Sequence, residues 1–369
     1  MCNFFRPSES FDSVDHNILL RKLSRYGFKG NFFKFFSSYL DSRSQFVKLG
    51  NVESSRLPIK FGVPQGSILG PLLFLIFIND LPNATNFYIT LFADDTFLCA
   101  QNNDLKLLEE EVNIEIKKVF QWLVSNKLTL NILKSKYMII TNKKSTSNEF
   151  NVSINDSPLK KCDQYKYLGV VIDKNLNWKP HIEYISAKIA KTCGILSKLR
   201  HCLGAKLLVE IYYALIHSYL RYGILTWGNA SANTIKPLQV LINRALRIIT
   251  FAPFGHIDLK PIYRNLEVLD VKDTLFLETS KFMFKRKNQL LPIRFANHFD
   301  SSDSNSQNLS SYNLRGSIRT NRIITRLQSS QNSIQIRGEN LWNAIPEIIK
   351  QETSLHSFKR LIKGMLLEN

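Results

Sequence analysis

Between residues 105 and 123 the apolar side chains Leu105, Leu108, Val112, Ile116, Val119 and Leu123 recur at steps of three and four. That is the period of a helix with one buried face, and Asp104 stands where a side-chain oxygen would cap its first turn. Just upstream, residues 87–92 and 96–100 are short runs rich in β-branched and aromatic residues. Each reads as a strand, and Ala93-Asp94-Asp95 falls between them at a tight hairpin tip. Nearer the start, Ile18, Leu19, Leu20 and Leu23 mark a helix opened by Asp15 or His16 and closed by Gly27. Residues 31–40 read as a second helix, dense in Phe. Residues 44–49 and 56–61 read as strands joined by a polar turn at Gly50-Asn51, and Pro71 suits the first turn of a helix running to Ile78.

Beyond residue 130 a strand is expected to end near Thr141, followed by a polar loop over residues 142–148 and an extended stretch over 165–173. From Trp178 the pattern turns helical, with helices expected over residues 180–199, 205–219 and 236–250. Residues 300–311 are rich in Ser and Asn and read as a mobile loop. Residues 314–326 carry Arg315, Arg319, Arg322 and Arg326, and a last helix over 355–367 puts Phe358, Leu361, Ile362 and Met365 on one face. No internal repeat is visible. Strands mixed with helices up to residue 173 and helices beyond make the expected class α+β.

Composition adds bounds. A chain of 369 residues is long enough for two or three domains. Its 49 Lys and Arg against 30 Asp and Glu leave a formal charge of +19. Such an excess suits a polyanion, whose counterions basic side chains displace; a merely basic soluble protein would show the same balance. The cysteines, Cys2, Cys99, Cys162, Cys193 and Cys202, are odd in number, scattered and without a Cys-x-x-Cys pair. They indicate neither a disulfide framework nor a zinc site. A reducing, intracellular setting, nucleus or cytoplasm, fits them. The longest apolar run, residues 72–78, is too short to span a bilayer, and the first ten residues lack the apolar core of a secretory signal.

The chemistry starts at the hairpin. Asp94 and Asp95 are adjacent like charges, and each raises the cost of ionising the other. A hard divalent cation removes that cost by taking carboxylate oxygens. Alone, such a pair is most often an ordinary acidic turn. The string Gly62-Val63-Pro64-Gln65-Gly66-Ser67-Ile68-Leu69-Gly70-Pro71-Leu72-Leu73-Phe74 upstream changes the reading, with Ile78-Asn79-Asp80-Leu81-Pro82 and then the hairpin after it. This ordered pair resembles the reverse transcriptases of non-long-terminal-repeat retrotransposons, and among them the jockey-like elements. It looks like their glycine-rich template and nucleotide motif followed by their Phe/Tyr-Ala-Asp-Asp motif. The likeness runs from about Ser8 or Phe11 to the C-terminus and is strongest through Asp173.

The resemblance implies a partial right-hand polymerase palm over residues 11–173, with primer-grip strands at 165–173. A helical thumb-like domain over 174–255 and a mostly helical C-terminal region over 256–369 would follow. Residues 338–346 resemble a tail segment common in jockey-like polymerases. The fingers are expected to be absent, as is an endonuclease domain. Asp94 and Asp95 become the catalytic, metal-holding carboxylates for Mg2+, with Mn2+ as a substitute. Lys134, with Lys136 as a spare, would sit near the triphosphate. Gln65 and Gly66 would meet template and nucleotide, and Phe11 matches the aromatic that checks the sugar 2′ position. The implied partners are an RNA template, a DNA primer and dNTPs, with no membrane; the oligomeric state is left open. Lys188, Lys191, Lys198, Arg200, Arg244 and Arg247 could track a duplex backbone, or be a solvated helix face.

The chain departs from the pattern over residues 1–10, which match the family nowhere. Counting back from Phe11-Asp12-Ser13-Val14-Asp15-His16, the family's first catalytic aspartate falls on Arg6. A guanidinium stays protonated and cannot ligate a metal. Pro7 beside it would interrupt a central strand. Residues 1–10 are therefore expected to be a leader foreign to the polymerase, and the chain to be inactive alone. The alternatives are a non-catalytic nucleic-acid-binding remnant and a relic whose palm lacks its central strand.

Overall fold

A computed structural model describes residues 1–5, 11–41, 43–141, 150–253, 255, 258–293 and 333–368. It has mixed helix and sheet and divides into two compact units, residues 1–165 with 174–176 and residues 166–173 with 177–369.

The first unit opens with strand β1 (Cys2–Phe5), then helices α1 (His16–Arg25) and α2 (Gly30–Leu40). The expected hairpin over 44–61 forms as two short ladders. Strand β2 (Ser44–Gln45) pairs with β5 (Leu57–Pro58), and β3 (Lys48–Leu49) pairs with β4 (Val52–Glu53) around Gly50-Asn51. Helix α3 (Leu69–Ile78), strands β6 (Tyr88–Phe92) and β7 (Asp95–Cys99), and helix α4 (Leu105–Ser125) follow. Asp104 caps α4 as expected, accepting from the amides of Lys106 and Leu107. Strands β8 (Lys136–Met138), β9 (Ser153–Ile154), β10 (Ser157–Pro158) and β11 (Lys160–Lys161) complete the unit.

The main sheet has the order β11-β8-β1-β7-β6, antiparallel except for the β11–β8 pair. β1 is therefore its middle strand. Residues 2–5 of the stretch read as a leader thus lie inside the sheet, which has its central strand. Cys-Asn-Phe-Phe is short but fit for an extended, buried position, and all four residues are buried. The mismatch with the family motif hid that propensity. Arg6 and Pro7 lie outside the described residues, as do the loop over 142–148, the Ser/Asn-rich stretch and the arginines of 314–326. One face of the sheet packs on the core: Phe5 and Leu98 meet Leu73, Phe74 and Phe77 of α3 and Leu108, Val112 and Ile116 of α4 in a single apolar cluster.

The second unit takes most of the hairpin that the sequence assigned to the palm. It comprises the end of β12 (Gln164–Tyr167) and all of β13 (Val170–Asp173). The reason is local: the Val171 amide donates to His181 Nδ1 at 3.2 Å, and Asp173 accepts from the amides of Asn177 and Trp178. β13 is thereby fastened to helix α5 (Lys179–Leu199). The helix expected over 205–219 is interrupted. It runs as α6 (Ala205–Tyr212), a wider π turn over Tyr213–His217, and α7 (Ser218–Arg221). Helix α8 (Ile224–Trp227) leads to α9 (Ala232–Thr250), which lies along α5 around buried Ile189, Leu196, Leu238 and Leu246. Helices α10 (Lys260–Asn265), α11 (Val271–Lys287), α12 (Ile334–Ala344), α13 (Glu347–Lys350) and α14 (Leu355–Glu368) follow. Phe284, Ile345, Phe358 and Ile362 make a separate small core there. Among the described residues no helix is long and apolar enough to cross a membrane.

Candidate functional site

The carboxylates stand where the sequence puts them. β6 and β7 pair from Tyr88–Cys99 down to Phe92–Asp95, so Ala93 and Asp94 make a two-residue turn. Ala93 holds φ +48°, a left-handed conformation that costs a residue with a Cβ about 1 kcal/mol. Strain at such a tip accompanies functional hairpins often enough to be informative. Both aspartates are half-buried.

Sheet register decides what lies near them. Phe5, the last described residue of β1, faces Thr96. Lys136, the first residue of β8, faces Phe4, which in turn faces Phe97. The start of β7, the end of β1 and the start of β8 thus share one end of the sheet. At a strand spacing of about 4.8 Å, β8 lies roughly 10 Å across from the acidic hairpin. Lys134 is on the turn just before β8, exposed, its amide bonded to the Asn131 side chain at 3.0 Å. Alternation along β7 puts Asp95, Phe97 and Cys99 on one face and buried Thr96 and Leu98 on the other. Lys136 shares the Asp95 face through its pairing with Phe4.

The glycine-rich string forms a second cluster. Gly66 has φ +77°, and nothing lies within 4 Å of where its Cβ would be. The turn needs glycine, and the space above it is open. Gly70 is tighter: a Cβ there would run into the Pro64 carbonyl. Gln65 does not point freely outward. Its Nε2 donates to both carboxylate oxygens of Asp12, at 2.9 and 2.8 Å. The Val63 amide donates to the Phe11 carbonyl and the Gly62 amide to the Val14 carbonyl, each at 2.8 Å. Phe11 stacks on Phe74 with ring centroids 4.5 Å apart, so packing accounts for part of its role.

Asp12 and Asp15 hold this region together. Asp15 caps α1 through the Ile18 amide and pairs with Lys127 at 2.7 Å. Burial pushes its carboxyl up, but the Lys127 ammonium and the amide bonds outweigh that and hold it below the usual range. Lys22 lies on α1, where nothing in the sequence marks it out. Its ammonium donates to the Phe77 carbonyl and to Asp80, both at 2.6 Å, beneath the Trp122 ring. Burial lowers its pKa despite Asp80.

The basic residues of the second unit divide. Lys188, Lys191 and Lys198 on α5 and Arg244 on α9 are exposed. Arg200 lies 3.7 Å from the Phe251 ring centroid, and Arg247 donates to the Gly255 carbonyl at 2.9 Å. Those two guanidiniums support the fold.

A family model described as reverse transcriptase (RNA-dependent DNA polymerase) matches residues 7–172. The RNA-directed DNA polymerase from mobile element jockey of Drosophila melanogaster is 28% identical over 293 residues, which are 76% of this chain and 31% of that protein. The probable RNA-directed DNA polymerase from transposon BS, also of Drosophila melanogaster, is 27% identical over 311 residues, 79% of this chain and 34% of that one. The chain spans about a third of the length of these relatives. A telomerase structure from Candida albicans, bound to a fragment of telomeric RNA, is 13% identical with a TM-score of 0.32, covering 75% of this chain and 48% of that one. With the glycine-rich string and the acidic hairpin in their expected order, residues 7–172 match a reverse transcriptase domain, and the chain is similar to the RNA-directed DNA polymerases of jockey-like mobile elements.

Proposed function

We propose that this chain binds an RNA template and its DNA primer and does not, alone, extend that primer. One observation carries the reading: the acidic hairpin and the lysines before and on β8 share one end of the palm sheet, where Asp94 and Asp95 are the carboxylates the hairpin supplies. Among the described residues no three His, Cys, Asp or Glu side chains converge to hold a metal. Two-metal nucleotidyl transfer needs oxygens that bridge and anchor both ions. Asp94 and Asp95 suit one hard cation, Mg2+ or Mn2+, and do not suit a pair. No nucleotidyl step follows from such a donor set.

The remaining assignments rest on position. The open space above Gly66 suits a template strand or nucleotide, and Gln65 is braced for that contact by Asp12. Lys134 would meet phosphate. The exposed lysines of α5 suit the backbone of a duplex, in the role of a thumb. The setting we propose is intracellular.

The test is primer extension in Mg2+ or Mn2+ alongside a binding titration with the same template–primer. The expected outcome is binding that weakens with salt, without extension, and Arg6→Asp does not restore extension. Extension that disappears in Asp94→Asn would overturn the proposal and make the chain an active polymerase. No binding at low salt would overturn it in the other direction.

A further inference from the structure

All five cysteines are free thiols in the fold. Two of them face one another. Cys2 on β1 lies directly opposite Cys99 on β7. At the next position along the ladder, Met1 and Ala100 exchange both backbone bonds, at 2.6 and 3.0 Å. In an antiparallel ladder the pair beside a doubly bonded one is non-hydrogen-bonded, with Cα atoms about 4.5 Å apart and side chains close. That lies within the range of about 4.4–6.8 Å that a disulfide accepts. Each thiol lies close enough to shift the titration of the other. They lie on the same sheet face as Asp95, the less covered one.

We propose that Cys2 and Cys99 are an oxidant-sensitive thiol pair that closes into a cross-strand disulfide on exposure to peroxide. This holds whether or not the chain polymerises. The thiols are unequal in the way the step needs. Cys2 beside it holds the Cys99 thiol down, whereas Cys99 and burial push the Cys2 thiol up. Cys99 is therefore the readier of the two to ionise and to act as nucleophile. It is half-exposed, while Cys2 is 7% exposed, so peroxide reaches Cys99 first. The Cys99 thiolate attacks one peroxide oxygen, the O–O bond breaks, and hydroxide leaves and takes a proton from solvent. Cys99 is now a sulfenic acid. Cys2 sulfur attacks Cys99 sulfur, the S–O bond breaks, and the Cys2 proton leaves with the hydroxyl as a second water. Two thiols lose two electrons and one peroxide becomes two waters. Cys162 is near but does not compete: its Sγ bonds the Tyr137 carbonyl at 3.4 Å, and burial raises its pKa.

The product would tie the middle strand to the strand that begins at Asp95. The experiment treats the reduced full chain with hydrogen peroxide and maps its peptides without reduction. The expected result is a Cys2 peptide joined to a Cys99 peptide, in the wild type and in Cys162→Ser, and absent in Cys99→Ser. Oxidation should also raise the melting temperature of the first unit by roughly 5–10 °C, reversed by dithiothreitol. Both thiols remaining free, joining Cys162 or a second chain, or ending as separate sulfinic acids would overturn the proposal. Because the wild-type map is read directly, it stands even if a serine variant fails to fold.

Discussion

Asn3 is the most anomalous residue of the sheet. It sits on β1 between Leu98 and Tyr137, with no exposed surface, and neither its amide nitrogen nor its oxygen has a hydrogen-bond partner. A buried polar group left unsatisfied costs about 1–3 kcal/mol. Leucine has the same branching and the same number of side-chain heavy atoms and carries no polar ones, so Asn3→Leu should stabilise the first unit by about 1–2 kcal/mol, read as a higher denaturant midpoint with unchanged slope. A destabilised variant would mean that the amide has a role in the sheet. Individual residues were legible where they follow a local rule, such as Asp104 at a helix start or Asp94 at a hairpin tip. They were illegible where the partner is distant in sequence. Gln65 and Asp12 are separated by 53 positions, and Lys22 and Asp80 by 58. Nothing in either neighbourhood announces the other.

Helices and strands were legible through their periodicity and blurred at their ends and interruptions. The helix expected from residue 236 begins earlier: Ser231 caps α9, accepting from the Thr234 amide, and Pro237 lies inside. The docking of β13 on α5 was invisible, since it depends on a histidine that reads as an ordinary helix residue. Val171 donates to His181 Nδ1, so the ring must be neutral, and His181 Nε2 is buried without a partner. Burial, then the Lys166 ammonium, lowers its pKa to about 4. In the unfolded chain the ring protonates near 6.5. As pH falls from 6.5 towards 4 the unfolded state takes up a proton that the folded state refuses, and stability drops. The loss should be on the order of 2 kcal/mol by pH 4. His181→Asn keeps an acceptor near Nδ1 and should flatten that slope, at the expense of the ring's contact with Trp227, 5.6 Å away. Urea midpoints at several pH values decide it, and an unchanged slope in the variant would assign the acid lability elsewhere. At the other helix start, Asp15→Ala should cost about 1–2 kcal/mol at neutral pH through loss of the α1 cap. That loss should shrink at strongly acid pH, where the wild-type carboxyl is itself protonated below its depressed pKa.

At the scale of the whole chain, a charge of +19 promises nucleic acid without saying which lysines reach it. The fold separates them. Lys188, Lys191 and Lys198 recur at helical spacing on α5 and are exposed, while Arg200 is spent on the Phe251 ring. Each phosphate neutralised on a duplex contributes about 0.9 to the slope of log affinity against log salt. Replacing all three lysines with glutamine should therefore lower that slope by roughly 2–3 and leave the melting temperature within a degree or two. Arg200→Gln should do the reverse, lowering the melting temperature through loss of a cation–π contact worth about 1–2 kcal/mol and leaving the slope nearly unchanged. A basic surface with no dedicated duplex track would lose affinity equally with any of the four substitutions. Titrations of one template–primer between 50 and 200 mM salt, beside melting curves of the same variants, would show which description holds.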